Sequence, residues 1–292
     1  MVLKKSVKKQ LDILIVGGNS NLAVALKPVL SEFSKVLTAG RKNCDISMDL
    51  NDPIDKIRLP QKFDVVIQTA SHFGGNGPID FLAAETTNVL GTLKLCKIAS
   101  DAKVEHFILV SSIYTTLNEG SEYYGAYSLS KKHAEEAARY YCAVNSLLLT
   151  ILRPSQMYGD GESFRIHQPF FYTIVDKAER GENIDFYGTN DALRNFIHVE
   201  DVANVIARVV QKRLAGTFQC AHPSNVTFSQ IARAAFSAFQ TKGTVRFLSD
   251  KPSIPDNVFE LKNLLYKKIL FSPKISIKTG MKKIWKHRNA VK

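Results

Sequence analysis

Short apolar runs alternate with helical segments along most of this chain, and this alternation limits the folds that it can adopt. Four runs, at 12–16, 63–71, 106–110 and 147–152, have the length and apolar content of buried strands. Strands buried on both faces are typical of parallel sheets, in which helices of about a dozen residues connect successive strands. The sequence therefore predicts an α/β fold with a doubly wound parallel sheet.

A turn of small residues follows the first run, and its position predicts a phosphate site. Gly17 begins the segment 17–23, whose sequence is GGNSNLA and which leads into a helix. Backbone N–H groups and the helix dipole can approach a pyrophosphate at such a turn. Ser20 and Ala23 replace the usual glycines, but both are small. Pro28 lies inside the predicted helix, and we expect it to kink or shorten that helix.

The second predicted strand, 35–42, ends without an acidic residue. A carboxylate at this place binds the adenosine ribose of NAD, whereas a nearby arginine accommodates the 2′-phosphate of NADP. Arg41 lies at this strand end. A surface pair of Arg41 and Lys42 is the simpler interpretation, but charge and position together favour NADP, with NAD as the alternative. A third strand is predicted at 46–50.

Tyr127 and Lys131 are four residues apart, so a helix would place them on one face. A tyrosine with a pKa of about 10 is a poor base at neutral pH, but an adjacent ammonium would lower that pKa. Ser112 follows the run 106–110 and would present its hydroxyl at the carboxyl end of that strand. The same spacing occurs on ordinary amphipathic helices, so the surrounding motifs decide between the two interpretations.

The formal charge of +12 is concentrated in two terminal segments. Four lysines lie in 1–10 and ten lysines or arginines lie in 261–292, and neither segment contains an acid. The residues between them therefore carry a net charge of −2. No RNA-binding or zinc-finger motif accompanies the basic segments, so we expect solvated ends rather than a nucleic-acid or membrane surface.

Cysteine spacing and hydropathy exclude several classes of protein. The four cysteines, Cys44, Cys96, Cys142 and Cys220, are scattered, which argues against a metal site, a redox pair or disulfides, and we expect them to be buried. No apolar run reaches the about 18 residues of a membrane span, and 11–16 is too short and too charged for a signal-peptide core. The sequence therefore predicts a cytoplasmic protein without a metal.

Further motifs follow in a fixed order along the chain. They are the strand end 67–71, Asn88-Val-Leu-Gly-Thr, Val110-Ser111-Ser112, Tyr127-x-x-x-Lys131, Leu152-Arg153-Pro154 with Met157-Tyr158-Gly159, and the segment 196–203. Together they resemble the extended short-chain dehydrogenase/reductase family of nucleotide-sugar epimerases, dehydratases and reductases. The resemblance covers roughly residues 11–285.

The resemblance implies a Rossmann fold with a smaller C-terminal α/β substrate-binding part. The dinucleotide-binding domain would comprise 11–160, and 196–222 would return to it. The substrate-binding part would comprise 161–195 and 223–292.

The resemblance also gives matching residues their roles. Tyr127 corresponds to the acid/base, Lys131 to the residue that lowers its pKa and binds the nicotinamide ribose, and Ser112 to the hydroxyl that holds the reacting sugar oxygen. Arg194 would bind the nucleotide diphosphate, and Gln156 stands where a substrate-binding asparagine is common. The expected cofactor contacts are Gly17, Asn19, Ser20, Asn21, Leu22, Arg41, Leu50, Thr69, Ala70, Ser71, Asn88, Tyr127, Lys131, Pro154, and Asp49 as an adenine contact.

Two absences narrow the reaction that the resemblance implies. Ile113 and Tyr114 follow Ser112, whereas 4,6-dehydratases have an Asp-Glu pair there and enzymes of the GDP-fucose synthase kind have a cysteine at the first position. The implied function is NADPH-dependent reduction of a nucleotide-linked 4-keto sugar. A C4 epimerase with tightly bound NAD is the alternative, and a non-catalytic dinucleotide-binding protein is the third interpretation. The expected partner is a nucleotide sugar, and a homodimer is a candidate assembly.

Overall fold

Residues 10–75 and 77–291, which the computed structural model describes, form thirteen strands and nine α-helices. The strands are β1 (Leu11–Val16), β2 (Ser34–Gly40), β3 (Ile46–Ser47), β4 (Val65–Gln68), β5 (His106–Val110), β6 (Leu148–Pro154), β7 (Gln156–Tyr158), β8 (Ile184–Tyr187), β9 (Leu193–Arg194), β10 (Phe196–His198), β11 (Gly216–Cys220), β12 (Val226–Thr227) and β13 (Val245–Leu248). The helices are α1 (Asn21–Ser31), α2 (Pro78–Ala84), α3 (Gly91–Asp101), α4 (Ala126–Val144), α5 (Pro169–Glu179), α6 (Val199–Lys212), α7 (Phe228–Phe239), α8 (Leu264–Ile269) and α9 (Ile277–Val291).

The central sheet has the strand order β11-β6-β5-β4-β1-β2-β3, and all of its neighbouring strands are parallel. The chain builds outward from β1 to β2 and β3, then crosses to β4 on the other side of β1. Ligands of such sheets bind at the carboxyl ends of the strands where this reversal occurs. The predicted doubly wound parallel sheet is confirmed, and it places the ligand crevice between β1 and β4.

Both faces of the sheet are covered, which explains why its strands are almost entirely apolar. Ile13 and Ile15 of β1 pack in a cluster with α1 and α6, whereas Leu14 and Val16 pack on the other face with residues of α3 and α4. All four side chains are at most 1% exposed. Burying such side chains contributes roughly 1.5–3 kcal/mol each, so the sheet forms the main core.

A second group of elements packs beside the sheet. Helices α5, α7 and α9 contact one another, and β8 pairs with β13. Phe171, Phe186 and Ile284 from these elements are buried in the same apolar cluster as Ile13. The two parts predicted from the sequence therefore share packing, while the boundaries between them remain a prediction.

The local structure differs from the sequence prediction, or adds to it, in three places. Pro28 lies inside α1, which continues to Ser31, so the helix is not shortened there. The strand predicted at 46–50 pairs only over Ile46–Ser47, because the chain then turns and Asp49 accepts the Asn51 N–H at 3.0 Å. The helical segment that carries the Asn88 motif contains a π-helical turn, Glu85–Leu90, between α2 and α3.

The basic C-terminal segment is not simply solvated. Arg288 of α9 has a side chain that is 10% exposed and pairs with Glu162, Asp176 and Glu179. Lys283 pairs with Glu200 at 2.9 Å. These acids lie at least 80 residues earlier in the sequence, so the local composition of the segment does not reveal them. The four N-terminal lysines and Asn76 lie outside the described residues.

The predicted burial of the cysteines is correct for three of them. Cys96, Cys142 and Cys220 are buried, whereas Cys44 is half-buried and its thiol donates to Asn19 Oδ1 at 3.6 Å.

Across residues 10–75 and 77–291, no helix combines the length and hydrophobicity that crossing a membrane would require.

Candidate active site

The turn between β1 and α1 has the geometry of a phosphate site. Gly17 has a φ of +87°, and a Cβ atom there would lie 2.5 Å from the backbone nitrogen of Ala70. A side chain at this position would therefore collide with the end of β4. The Ser20 hydroxyl caps α1 by accepting the N–H of the third helical residue at 3.1 Å. The N–H groups of Asn21 and Leu22, at the start of α1, lack intrahelical acceptors and suit an anion.

Two adjoining cavities lie at the carboxyl ends of the central strands. The first, which we call the turn cavity, has a volume of about 850 Å³. Its lining includes the predicted cofactor residues Gly17, Asn19, Ser20, Arg41, Asp49, Leu50, Thr69, Ala70 and Ser71. The second, the tyrosine cavity, has a volume of about 470 Å³. Its lining includes the predicted residues Asn19, Ser20, Asn21, Leu22, Thr69, Ser71, Ser112, Tyr127, Lys131, Pro154 and Gln156.

The shared lining shows that the two cavities form one cleft. Thr69 and Ser71, at the end of β4, line both of them. The cleft therefore passes from the end of β2, across the β1–α1 turn, to Tyr127. An extended dinucleotide fits this shape, with its pyrophosphate at the turn and one end in each cavity.

Positive side chains border the turn cavity at the end of β2. Arg41 and Lys42 are exposed and line it. The nearest carboxylate in the sequence, Asp45, accepts the Thr38 N–H at 2.8 Å and the Lys27 ammonium at 3.2 Å. Hydrogen bonds from Thr38 hold the pKa of Asp45 below its usual value. Asp45 is therefore already bound by other groups, and the arginine and lysine are available to a 2′-phosphate.

Two elements, β5 and α4, bring Ser112, Tyr127 and Lys131 to the tyrosine cavity. Ser112 lies two residues after the end of β5, and its Oγ accepts the Tyr114 N–H at 3.2 Å. Tyr127 and Lys131 lie on successive turns of α4. Lys131 is 2% exposed, and its ammonium donates to the Val110 carbonyl oxygen at 2.8 Å.

The pKa of Tyr127 is raised, contrary to the prediction from its spacing to Lys131. Burial raises it to about 12, although the hydroxyls of Ser112 and Ser71 oppose this shift. Burial also lowers the pKa of Lys131 to about 8, although the negative charge of Glu135 opposes that change. Desolvation therefore outweighs the cation that the sequence places beside the phenol. Tyr127 holds its proton at neutral pH, as a proton donor must.

An aromatic contact crosses the cleft beside Tyr127. The Phe73 ring stacks on the Tyr127 ring with centroids 5.0 Å apart, and it contacts His167 with centroids 4.0 Å apart. Both Phe73 and His167 line both cavities. Burial lowers the pKa of His167, which favours its neutral form. Phe73 lies in the loop after β4, at the carboxyl end of a central strand, but nothing in the sequence indicates His167.

Two glutamines face each other in the tyrosine cavity. Gln156 Nε2 lies 3.5 Å from Gln168 Oε1, and both residues line the cavity. The Oε1 atom of Gln156 is buried and has no hydrogen-bond partner among the described residues. A buried acceptor of this kind is costly unless a donor reaches it, so it suits a hydroxyl group of a bound ligand. Gln168 was not predicted, because it lies outside every motif of the sequence.

Asn88 does not line either cavity, although it was predicted to contact the cofactor. It is 1% exposed, and its amide accepts the His72 N–H at 2.8 Å and donates to the His72 carbonyl at 2.9 Å. It also accepts the Ser71 hydroxyl at 3.2 Å. Asn88 thus holds the loop after β4, and Ser71 of that loop lines the cleft.

Arg194 likewise lies outside the lining of both cavities. It is 6% exposed, and its guanidinium donates to the Pro255 carbonyl at 2.9 Å and to the Tyr123 hydroxyl at 2.9 Å. It also stacks over Phe228, 4.5 Å from the ring centroid. These contacts occupy some of the N–H donors of the guanidinium and hold it in place. A role for Arg194 in substrate binding remains a prediction.

Comparisons with known proteins agree with this arrangement. Residues 13–221 match the NAD dependent epimerase/dehydratase family. CDP-abequose synthase from Salmonella typhimurium is 21% identical over 55% of this chain and 52% of its own length. The dTDP-4-dehydro-6-deoxy-D-allose reductase from Streptomyces bikiniensis is 24% identical over 46% of this chain and 42% of its own. This chain thus spans about half the length of the curated relatives it first matches.

Solved structures with low sequence identity share the whole fold. RMD from Pseudomonas aeruginosa, complexed with NADPH, superimposes with a TM-score of 0.79 at 17% identity, covering 97% of this chain and 100% of the other. The family match includes the phosphate turn, the Ser112 strand end and the Tyr127 helix, which the structure brings together in one cleft. This chain belongs to the NAD-dependent epimerase/dehydratase family, the extended branch of the short-chain dehydrogenase/reductase enzymes.

Proposed function

We propose that this protein is an NADPH-dependent reductase of a nucleotide-linked 4-keto sugar. The proposal rests chiefly on the tyrosine cavity, where Ser112, Tyr127 and Lys131 meet beside the phosphate turn. Within the described residues, the lining of this cavity contains no aspartate or glutamate. A dehydratase of the family needs carboxyl groups after the serine, and Ile113 and Tyr114 stand there instead. Hydride chemistry at one carbon requires no such group.

Each of these residues of the cleft would have a separate role in the reaction. The turn and the start of α1 would bind the pyrophosphate of NADPH, which supplies a hydride to carbon C4 when it is bound. Ser112 would hold the sugar O4 by a hydrogen bond. Tyr127 would donate its phenolic proton to O4, so the carbonyl becomes a hydroxyl, and the phenolate would then regain a proton from solvent. Lys131 would bind the nicotinamide ribose and stabilise the phenolate with its positive charge.

One feature of the cleft favours reduction over epimerisation. The exposed Arg41 at the turn cavity suits a dissociable NADPH rather than a permanently bound NAD. The Streptomyces relative is named as a reductase of a nucleotide-linked 4-dehydro sugar, and the Pseudomonas structure contains NADPH.

A C4 epimerase is the second candidate, because every catalytic residue named above would serve it equally. A non-catalytic dinucleotide-binding protein is the third candidate, but binding a dinucleotide does not by itself require Ser112, Tyr127 and Lys131 together. A cytoplasmic location and a homodimer remain predictions of the sequence.

The test is to purify the protein and offer it 4-keto sugars linked to dTDP, CDP, GDP or UDP, while nicotinamide absorbance reports NADPH. We expect a preparation free of bound nicotinamide that oxidises NADPH only when a 4-keto sugar nucleotide is present. Purification with bound NAD, together with interconversion of C4-epimeric sugars without net NADPH loss, would refute the reductase and support the epimerase. Cofactor binding without turnover of any sugar would support the third candidate.

A further inference from the structure

A buried carboxylate lies directly beneath the tyrosine cavity. Glu135 is 0% exposed and does not line the cavity. Its Oε1 accepts the Ser111 hydroxyl at 2.6 Å, the Arg153 Nε–H at 2.9 Å and the Thr115 hydroxyl at 3.1 Å. Its Oε2 accepts from Arg153 Nη2 at 2.5 Å and from Arg139 Nη1 at 3.2 Å. Such charge-assisted bonds are among the strongest in proteins and hold all partners in fixed positions.

These bonds join three segments, each of which carries a residue of the proposed site. Ser111 immediately precedes Ser112 at the end of β5. Arg153 immediately precedes Pro154 at the end of β6. Glu135 itself lies one helical turn after Lys131 in α4. One carboxylate therefore sets the distance between the strand end that presents Ser112 and the helix that presents Tyr127 and Lys131.

The charge of Glu135 also acts on Lys131. Burial disfavours the ammonium of Lys131, and Glu135 is the acid that counteracts this effect. The other charged or titratable groups around Lys131 and Glu135 are Tyr127 and Arg139 of α4, Arg153 of β6, and Tyr114, which lines the tyrosine cavity. Both arginines bind Glu135, and Tyr127 is uncharged at neutral pH. The protonation state of Lys131 therefore depends on the charge of Glu135.

We propose that Glu135 is a positioning residue for the reaction. It fixes Ser112 against the helix that carries Tyr127, and it keeps Lys131 positively charged while Lys131 is buried. This inference rests on the proposed function for its kinetic test, because turnover is the quantity that positioning affects. It has a second readout that does not depend on turnover.

The central variant is Glu135→Gln, which retains the size of the side chain and removes its charge. We expect kcat to fall by about 10- to 100-fold, the usual cost of misplaced catalytic groups. The wild-type rate should fall as the pH rises through about 8, where Lys131 loses its proton. In Glu135→Gln the pKa of Lys131 falls further, so this limb of the pH profile should move to lower pH by roughly one unit.

Two further variants distinguish the positioning effect of Glu135 from the effect of its charge on Lys131. Ser111→Ala removes one bond and leaves the carboxylate, so kcat should fall by several-fold while the pH limb stays in place. Glu136→Gln makes the same chemical change at the next residue of α4, which is exposed, and should alter neither quantity. If Glu135→Gln does not fold, Ser111→Ala and Thr115→Val carry the test, and normal kcat in both would overturn the proposal.

An NMR titration of the Lys131 side chain in wild type and Glu135→Gln provides the readout without turnover. A lower pKa for Lys131 in the variant supports the proposal, and an unchanged pKa overturns it. Loss of thermal stability with kcat and the pH limb unchanged would show a purely structural role and would also overturn it. If the wild type reduces no 4-keto sugar nucleotide, the proposed function fails, and the Lys131 titration still tests the effect of Glu135.

Discussion

Tyr127 is the residue on which the proposed reaction depends most directly. Its phenol is protonated at neutral pH because burial raises the pKa to about 12. We expect Tyr127→Phe to bind NADPH with nearly unchanged affinity and to lower kcat by on the order of 10²-fold or more, since only the proton donor is lost. Steady-state kinetics and cofactor titration measure the two effects. A variant with near-normal kcat would show that another group donates the proton.

Arg41 is the residue on which the cofactor preference depends. Its exposed guanidinium borders the turn cavity, whereas the nearest carboxylate in the sequence, Asp45, binds Thr38 and Lys27. A charge-assisted hydrogen bond contributes roughly 1.5–3 kcal/mol, so Arg41→Ala should weaken NADPH binding by several-fold to about 100-fold and leave NADH binding nearly unchanged. Lys35→Ala, at the exposed opposite end of β2, is the matched control. Equal losses for both cofactors would contradict this role.

Some residue properties could be predicted from the sequence and others could not. The spacing of Tyr127 and Lys131 predicts that their side chains lie on the same side of α4, and in the structure both line the tyrosine cavity. Spacing cannot report how much water surrounds a phenol, and desolvation reverses the predicted direction of the Tyr127 pKa. Gln168 and His167 reach the cleft because the segment before α5 lies against Gln156 of β7 and Phe73, and no local pattern in the sequence indicates these contacts.

The loop after β4 places an aromatic ring in the cleft. Phe73 lines both cavities, and its ring contacts His167. We expect a dinucleotide that spans both cavities to displace this contact, and an aromatic pair contributes about 0.5–1.5 kcal/mol. Phe73→Ala should therefore speed NADPH association by about 2- to 10-fold in stopped-flow fluorescence measurements.

The matched control for Phe73→Ala is Tyr140→Ala, which removes a ring that is 76% exposed on α4. This control should leave the association rate unchanged. Slower NADPH association in Phe73→Ala would show that the ring instead helps to bind the cofactor.

Among the secondary-structure elements, the sequence predicts best the strands that are buried on both faces. The strands β1, β4, β5 and β6 lie where their apolar runs predict, because both faces of each strand are covered. The strand predicted at 46–50 is present as β3 but is only two residues long, and the π-helical turn at Glu85–Leu90 is not predicted, since neither feature changes the apolar pattern of its segment. The π-helical turn carries Asn88, whose bonds to His72 hold the loop in place.

Arg288 links α9 to earlier parts of the molecule. Its largely buried side chain pairs with Glu162, Asp176 and Glu179, and removing it takes one positive charge from this cluster, in which Arg165 also pairs with Glu162 and Asp176. We expect Arg288→Met to lower the free energy of unfolding by about 2–4 kcal/mol, measured by urea denaturation. Lys286→Met, an exposed position of the same helix, should have almost no effect. Equal stability of the two variants would contradict this prediction.

The whole-molecule arrangement could be predicted only in outline. The order of motifs indicates the sheet and the position of the cleft, and both agree with the structure. The charge of the C-terminal segment predicts solvation, because its acidic partners are remote in sequence. Arg288 and Glu162, for example, are 126 residues apart.

That separation also has a consequence for the order in which the protein forms during synthesis. A ribosome adding ~5–20 residues per second needs roughly 6–25 seconds to proceed from Glu162 to Arg288. Strands β1 to β6 are synthesised before this interval, so most of the parallel sheet can assemble while the rest of the chain is being made. Met281 and Ile284 of α9, which are fully buried in the finished protein, arrive only at its end. Until then α7 exposes the apolar surface that α9 later covers, so the nascent chain is most vulnerable to aggregation during these seconds.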